Sequence, residues 1–208
     1  LNSKWYYLDG ENAGIMACNE MKKIGDSYYA FDGSGAMQTG WVLRPEGWYY
    51  ADNSGACAIG WRYIRGVWYY LDGFNTEHPG LMAENCTRNI GGSNYYFAAG
   101  GAMQTDWVHY TEGWYYADAS GAQATGWRKV NGVWYYLDGD NAEYPGLMLS
   151  DCSKEINGNT YTFRVSGAMA TGWYQNGNDW YYYDASGLIT SGWRSIKGNW
   201  YYLDPADN

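Results

Sequence analysis

The stretch Trp61–Asp72, WRYIRGVWYYLD, decides the fold. A short strand opens with Trp61, a turn containing Gly66 reverses the chain, and a second strand carries Trp68-Tyr69-Tyr70-Leu71-Asp72. Side chains alternate along an extended strand, so Trp68 and Tyr70 share one face and Tyr69 takes the other. A lone hairpin of this size is marginal in water and needs copies of itself to cover its faces. Those copies run through the whole chain. WYY recurs at 5, 48, 68, 114, 134, 180 and 200, and degenerate forms stand at Ser27-Tyr28-Tyr29, Asn94-Tyr95-Tyr96 and Thr160-Tyr161-Thr162. The repeat is about 20 residues long. Its linking loops, such as Asp32–Gly40 (DGSGAMQTG), place Gly at fixed offsets where tight turns ask for a positive φ.

A longer period lies over the first. Starts 48, 114 and 180 are 66 apart, as are 68, 134 and 200, and also 94 and 160. Every third unit is therefore alike. Type B carries Trp41/Trp48, Trp107/Trp114 and Trp173/Trp180; type C carries Trp61/Trp68, Trp127/Trp134 and Trp193/Trp200. Type A lacks both tryptophans. Counting six residues on from the loop glycines, as from Gly35 to Trp41, puts Cys86 and Cys152 where the first Trp would stand, with Cys18 as a shorter-spaced equivalent. The expected fold is all-β: a solenoid of nine to ten stacked hairpins, three per turn, read as one repeat module over residues 1–208. The WYY at 5 has no first strand before it, so further protein is expected upstream, and the Pro205 step after the last WYYLD reads as a terminus.

Composition narrows the function. The chain holds 13 Trp and 24 Tyr against 4 Phe, large rings with a polar edge that suit binding surfaces. The net charge is −9 with no basic run, the wrong sign for nucleic acid or for an anionic lipid surface. No apolar run reaches the length of a membrane span. Four cysteines and two histidines show no zinc-type spacing, and no cofactor is expected. Mutual disulfides among Cys18, Cys86 and Cys152 are excluded by their separation, while a Cys57–Cys86 pair stays open; burial as small apolar groups is the favoured reading of all four.

The pattern GW-x(6)-WYY-x-D-x(2)-G-x-M-x-TGW closely resembles the choline-binding repeats of surface proteins and wall lysins from Gram-positive bacteria and their phages, and the resemblance covers essentially all 208 residues. It implies a left-handed β-solenoid and a non-catalytic, extracellular cell-wall attachment module whose partner is choline or phosphocholine on teichoic acid. An upstream hydrolase domain is compatible with it. It also implies that ligand sits between successive hairpins, walled by the two Trp of one and an aromatic of the next, often beside a Met. Three sites follow: Trp41 and Trp48 with Trp61 or Tyr70; Trp107 and Trp114 with Trp127 and Tyr136; Trp173 and Trp180 with Trp193 and Tyr202. Second-rank sites use Trp68, Trp134 and Trp200, where the neighbouring type A unit offers no Trp wall. The chemistry agrees: a quaternary ammonium has no N–H to donate and is recognised by converging π faces. Two other readings remain open: a carbohydrate-binding repeat, since Trp and Tyr faces also stack on sugars, and a structural or protein-docking spacer.

The other recurrent residues have plainer expectations. Tyr49, Tyr69, Tyr115, Tyr135, Tyr181 and Tyr201 face away from their Trp and are expected in the core. Asp9, Asp52, Asp72, Asp118, Asp138, Asp184 and Asp204 recur before turn residues, which reads as Asx turns, not as a hydrolytic carboxylate pair. Glu46 and Glu112 suit either cation steering or a solvated turn, and Arg62, Arg128 and Arg194 either a phosphate contact or a solvated strand face. Met37, Met103 and Met169 read as adaptable packing, or as ligand neighbours; Cys57, Gln123 and Ile189 hold the equivalent place before type C hairpins.

Overall fold

Two-residue turns generate the architecture. Arg65-Gly66, Gly91-Gly92, Asn131-Gly132, Asn157-Gly158 and Lys197-Gly198 all have positive φ at both positions. This is the turn whose twist matches that of paired strands. The hairpins they and their counterparts close are antiparallel and in register, as in Trp61 opposite Tyr70 and Tyr63 opposite Trp68. The computed structural model describes residues 4–204; Pro205 lies outside them. Among these residues nine such hairpins follow one another, from Glu20–Ile24/Ser27–Phe31 to Gly192–Ile196/Asn199–Leu203. The short pair Leu8–Asp9/Ile15–Met16 precedes them. The described residues are all-β apart from one 3-10 turn, Gly10–Asn12. It divides into two compact units, residues 1–104 and 105–208.

Within each unit the hairpins stack back to face. The middle residue of the WYY triplet, or of its degenerate form, leans onto the first Trp of a preceding Trp-bearing hairpin: Tyr69 onto Trp41, Tyr95 onto Trp61, Tyr135 onto Trp107 and Tyr161 onto Trp127, each at 4.8 Å between ring centroids. Backbone bonds lock the stack, for example Met103 N–H to the Trp68 carbonyl and Met169 N–H to the Trp134 carbonyl.

The type A hairpins differ from the counted alignment by one residue. Cys86 pairs with Phe97 and Cys152 with Phe163, the register at which Gly40 pairs with Ala51. Thr87, Ser153 and Met21 therefore hold the place of the first Trp, opposite Tyr96, Thr162 and Ala30. In the first type A hairpin the WYY equivalent is Tyr28-Tyr29-Ala30, not Ser27-Tyr28-Tyr29. That shift restores the 66-residue spacing to 94 and 160. Phe31, Phe97 and Phe163 fill the position held by Ala51, Ala117 and Tyr183 in type B and are almost fully buried. Phe97 and Phe163 pack against Trp61 and Trp127 of the preceding hairpin at 5.8 Å.

The recurrent aspartates cap the loops. Asp32, Asp52, Asp118 and Asp184 each accept from a Ser two residues on, through both its N–H and its hydroxyl, and from the N–H four residues on. The Ser hydroxyl bond, supported by the backbone N–H groups, holds these carboxyls below the ordinary carboxylate value. The stabilisation is complete above that value and is lost as pH falls through it. Urea midpoints are therefore expected to drop between about pH 5 and pH 3, and alanine at Ser34, Ser54, Ser120 and Ser186 together should flatten that drop. Asp9 and Asp138 keep the turn bond, accepting from the N–H groups of Glu11 and Asp140, and pair in addition with Lys22 and Lys154.

All four cysteines are free thiols. Cys18 is exposed, against the expected burial, and the others are half-buried. Burial pushes the Cys57 thiol up to about 11.

Candidate ligand cages between hairpins

Each Trp pair sits on facing strands two registers apart, so the two indoles meet edge to face. Trp107 and Trp114 lie 6.4 Å apart at 89°, and Trp127 and Trp134 lie 6.2 Å apart at 87°. The first Trp of each pair is wedged against the next hairpin; the second stays open to solvent, with Trp114 43% and Trp134 39% exposed. The third wall is the Tyr that leans in from the next hairpin, Tyr135 or Tyr161. The fourth is a thioether. Trp107, Trp114, Tyr135 and Met148, with Ser166, line one cavity of about 330 Å³; Trp127, Trp134, Tyr161 and Met169, with Ala185 and Ser186, line another of the same volume. In residues 1–104 the corresponding groups are Trp41, Trp48, Tyr69 and Met82, and Trp61, Trp68, Tyr95 and Met103. Trp173 and Trp180 with Tyr201 repeat the three rings, Tyr201 at 4.9 Å from Trp173.

Several expectations change here. Tyr70 and Tyr136 are not the neighbouring wall. They pack on Trp61 and Trp127 of their own hairpins at 5.2 Å, and Tyr70 is buried. Tyr202 likewise lies 5.4 Å from its own Trp193. Trp61 and Trp127 build the following cage and do not close the preceding one. Tyr69, Tyr135 and Tyr201, expected in the core, supply the wall instead; Tyr49 and Tyr115 are core residues as expected. Because the third wall is that Tyr, the absence of Trp from type A hairpins removes nothing from the type C cages. Trp68 and Trp134 thus stand in the same arrangement as Trp48 and Trp114. Trp193 and Trp200 are 63% and 69% exposed, and no following Tyr covers them among the described residues.

Six of the seven methionines obey one spacing rule. Gly-x-Met occurs at Gly14–Met16, Gly80–Met82 and Gly146–Met148 as well as at Gly35–Met37, Gly101–Met103 and Gly167–Met169. Met82, Met103, Met148 and Met169 each stand in a loop that completes a Trp pair two elements back. Cys57 and Ile189 stand where the facing hairpin is type A, with Cys57 packed beside Met21 and Ile189 beside Cys152 and Thr160. The next loop glycine leaves room for the thioether: a Cβ on Gly187 would lie 2.5 Å from Met169 Sδ, and one on Gly167 2.3 Å from Met148 Sδ. Gly187→Ala is expected to push Met169 out of its cage and remove one ligand equivalent from a titration. Gly198→Ala, equally left-handed but surrounded by open space, should cost about 1–2 kcal/mol of stability and no equivalents.

The charged candidates are engaged locally. Tyr49 and Tyr115 hydroxyls donate to Glu46 and Glu112 at 3.0 Å, and burial with this carboxylate raises both phenol pKa values. Arg62 donates to the Trp61 carbonyl at 2.8 Å, and the Arg128 guanidinium lies over the Tyr116 ring at 5.6 Å.

Comparison with known proteins agrees with this architecture. A family model described as a choline-binding repeat matches residues 112–144 and 153–191. A cell wall binding repeat model matches residues 59–73, 88–103 and 191–205. Among solved structures, CbpJ of Streptococcus pneumoniae aligns over 99% of this chain and 84% of its own at 30% identity, with a TM-score of 0.70. Choline binding protein F of the same organism aligns over 99% and 83% at 31% identity and 0.66. The modular autolysin LytC, also from S. pneumoniae, aligns over 95% of this chain and 49% of its own at 25% identity and 0.52. A sequence search of curated proteins gave no match. The chain belongs to the choline-binding repeat family.

Proposed function

We propose that residues 1–208 act as one non-catalytic cell-wall attachment module that binds choline, carried as phosphocholine on teichoic acid, in the cages between hairpins. The observation that carries this reading is the composition of the cages: two perpendicular indoles, a phenol ring and a thioether around about 330 Å³, with a single serine as the polar member of the first. A trimethylammonium head gains about 0.5–2 kcal/mol from each π face it meets and requires no acceptor. The net charge of −9 favours a cation at low salt. Four cages with all four walls among the described residues, spaced along a polymeric ligand, convert weak single contacts into avidity. The recurrent aspartates are committed to loop turns, which leaves them no part in hydrolysis.

Intrinsic tryptophan fluorescence tests this directly. Choline and tetramethylammonium are expected to give the same saturable change, with glucose oligomers inert at the cages. A response to glucose oligomers that free choline does not displace from the cages would instead support carbohydrate recognition there, and silence from both would support a spacer.

A further inference from the structure

We propose that the Trp-less register of residues 105–208 is a binding site of a second kind, one that takes a neutral saccharide. The hairpin Cys152–Ile156/Asn159–Phe163 faces Gly172–Asn176/Asp179–Tyr183 as each Trp-bearing hairpin faces its successor. Position for position, Ser153 replaces the first Trp, Thr160 the second, and Ile189 the Met, while Tyr181 keeps the place of Tyr135 and Tyr161. Removing two indoles leaves a cavity of about 620 Å³, nearly twice a cage. Phe163 packs among Ile156, Met169, Trp127 and Tyr136 and does not line this space.

The lining has changed chemistry as well as size. Ser153, Thr160 and Thr162 hydroxyls, the Asn176 amide and the phenols of Tyr174, Tyr181 and Tyr183 border the space, with the Asp151 side chain, an acceptor for sugar hydroxyls, at its edge. Ser153 Oγ and Thr162 Oγ1 are 2.8 Å apart, and Thr162 Oγ1 and Tyr183 OH 2.9 Å, a chain of hydroxyls running from the buried floor to the exposed Ser153. Each hydroxyl offers one donor and two acceptor positions, so the chain keeps unused capacity at its outer end. A quaternary ammonium makes no use of such hydroxyls, and the two indole walls that would attract it are gone, which leaves the phenols of Tyr174, Tyr181 and Tyr183. A sugar ring uses both halves: its C–H face stacks on a phenol, and its hydroxyls need neighbours that both donate and accept. The volume falls within the range of small-molecule sites, about 300–1,000 Å³.

The test is calorimetric titration of the full chain, held in saturating choline, with the tetramers of glucose and of N-acetylglucosamine as probes. One of them is expected to bind with a single equivalent undiminished by choline. Thr160→Trp refills the cavity and is expected to weaken that binding at least 10-fold while choline titration is unchanged. Thr160→Val, which keeps the shape and removes a hydroxyl, should weaken it several-fold and guards against misfolding of the larger variant. No binding of either tetramer to the choline-saturated chain, or binding that survives Thr160→Trp, overturns the proposal. Sugar binding displaced by choline also overturns it, by assigning the sugar to the aromatic cages.

Discussion

Alanine at Trp48, Trp68, Trp114, Trp134 and Trp180 together is expected to abolish retention on a quaternary-ammonium resin. Each of these indoles is the solvent-side wall of its cage and is 36–59% exposed, so truncation removes a ligand contact with little loss of packing. One lost π face is worth about 0.5–2 kcal/mol, or roughly 2–30-fold in affinity per site, and avidity multiplies the effect over the array. Urea denaturation without ligand should move little. Any single pair, such as Trp114→Ala with Trp134→Ala, should leave weakened retention eluted by less choline. Full retention by the quintuple variant, with an unchanged choline titration, would overturn the cage assignment.

The largest effect on stability is expected at a type A residue. Phe163 is fully buried and lies 5.8 Å from Trp127 and 6.4 Å from Tyr136. Phe163→Ala is expected to cost about 3–5 kcal/mol in urea denaturation, the ordinary range for an emptied aromatic core position. Because that ring braces the back of Trp127, the same variant should also weaken choline binding at the Trp127/Trp134 cage, which Phe163→Leu should largely preserve. A loss below about 1 kcal/mol would mean that the site collapses around the missing ring and that type A hairpins do not cement the stack.

How far the sequence reaches is clear from particular residues. Trp61–Asp72 is the observed hairpin, and the Trp pairs, the Asx turns and the type A/B/C cycle are all legible, because each is a local pattern of alternation, turn chemistry or spacing. The errors arise where a neighbour matters. Strand alternation correctly puts Tyr69 opposite Trp68. It cannot say that the far face of one hairpin rests on the Trp face of the one before, and that stacking turns an expected core residue into a cage wall. Counting from loop glycines places Cys86 at the Trp position, because loops and strands change length together in type A units; only the pairing of Cys86 with Phe97 fixes the register. Met82 and Met148 carry a signal that is there to read, the same Gly-x-Met spacing as Met37.

A cage whose walls come from one hairpin, the next hairpin and the loops beyond has a consequence for how the array comes apart. In the empty protein each hairpin is held chiefly by its immediate neighbours, so stability approximates a sum of nearest-neighbour terms and the ends can fray alone. Ligand adds a term that spans several consecutive elements at once. At 100 times its dissociation constant an occupied site contributes about 2.7 kcal/mol, and no one of those elements can melt without forfeiting it. Choline thus acts as a rivet: it lengthens the cooperative unit, and the ligand-loaded chain resists piecemeal unravelling that the empty chain permits.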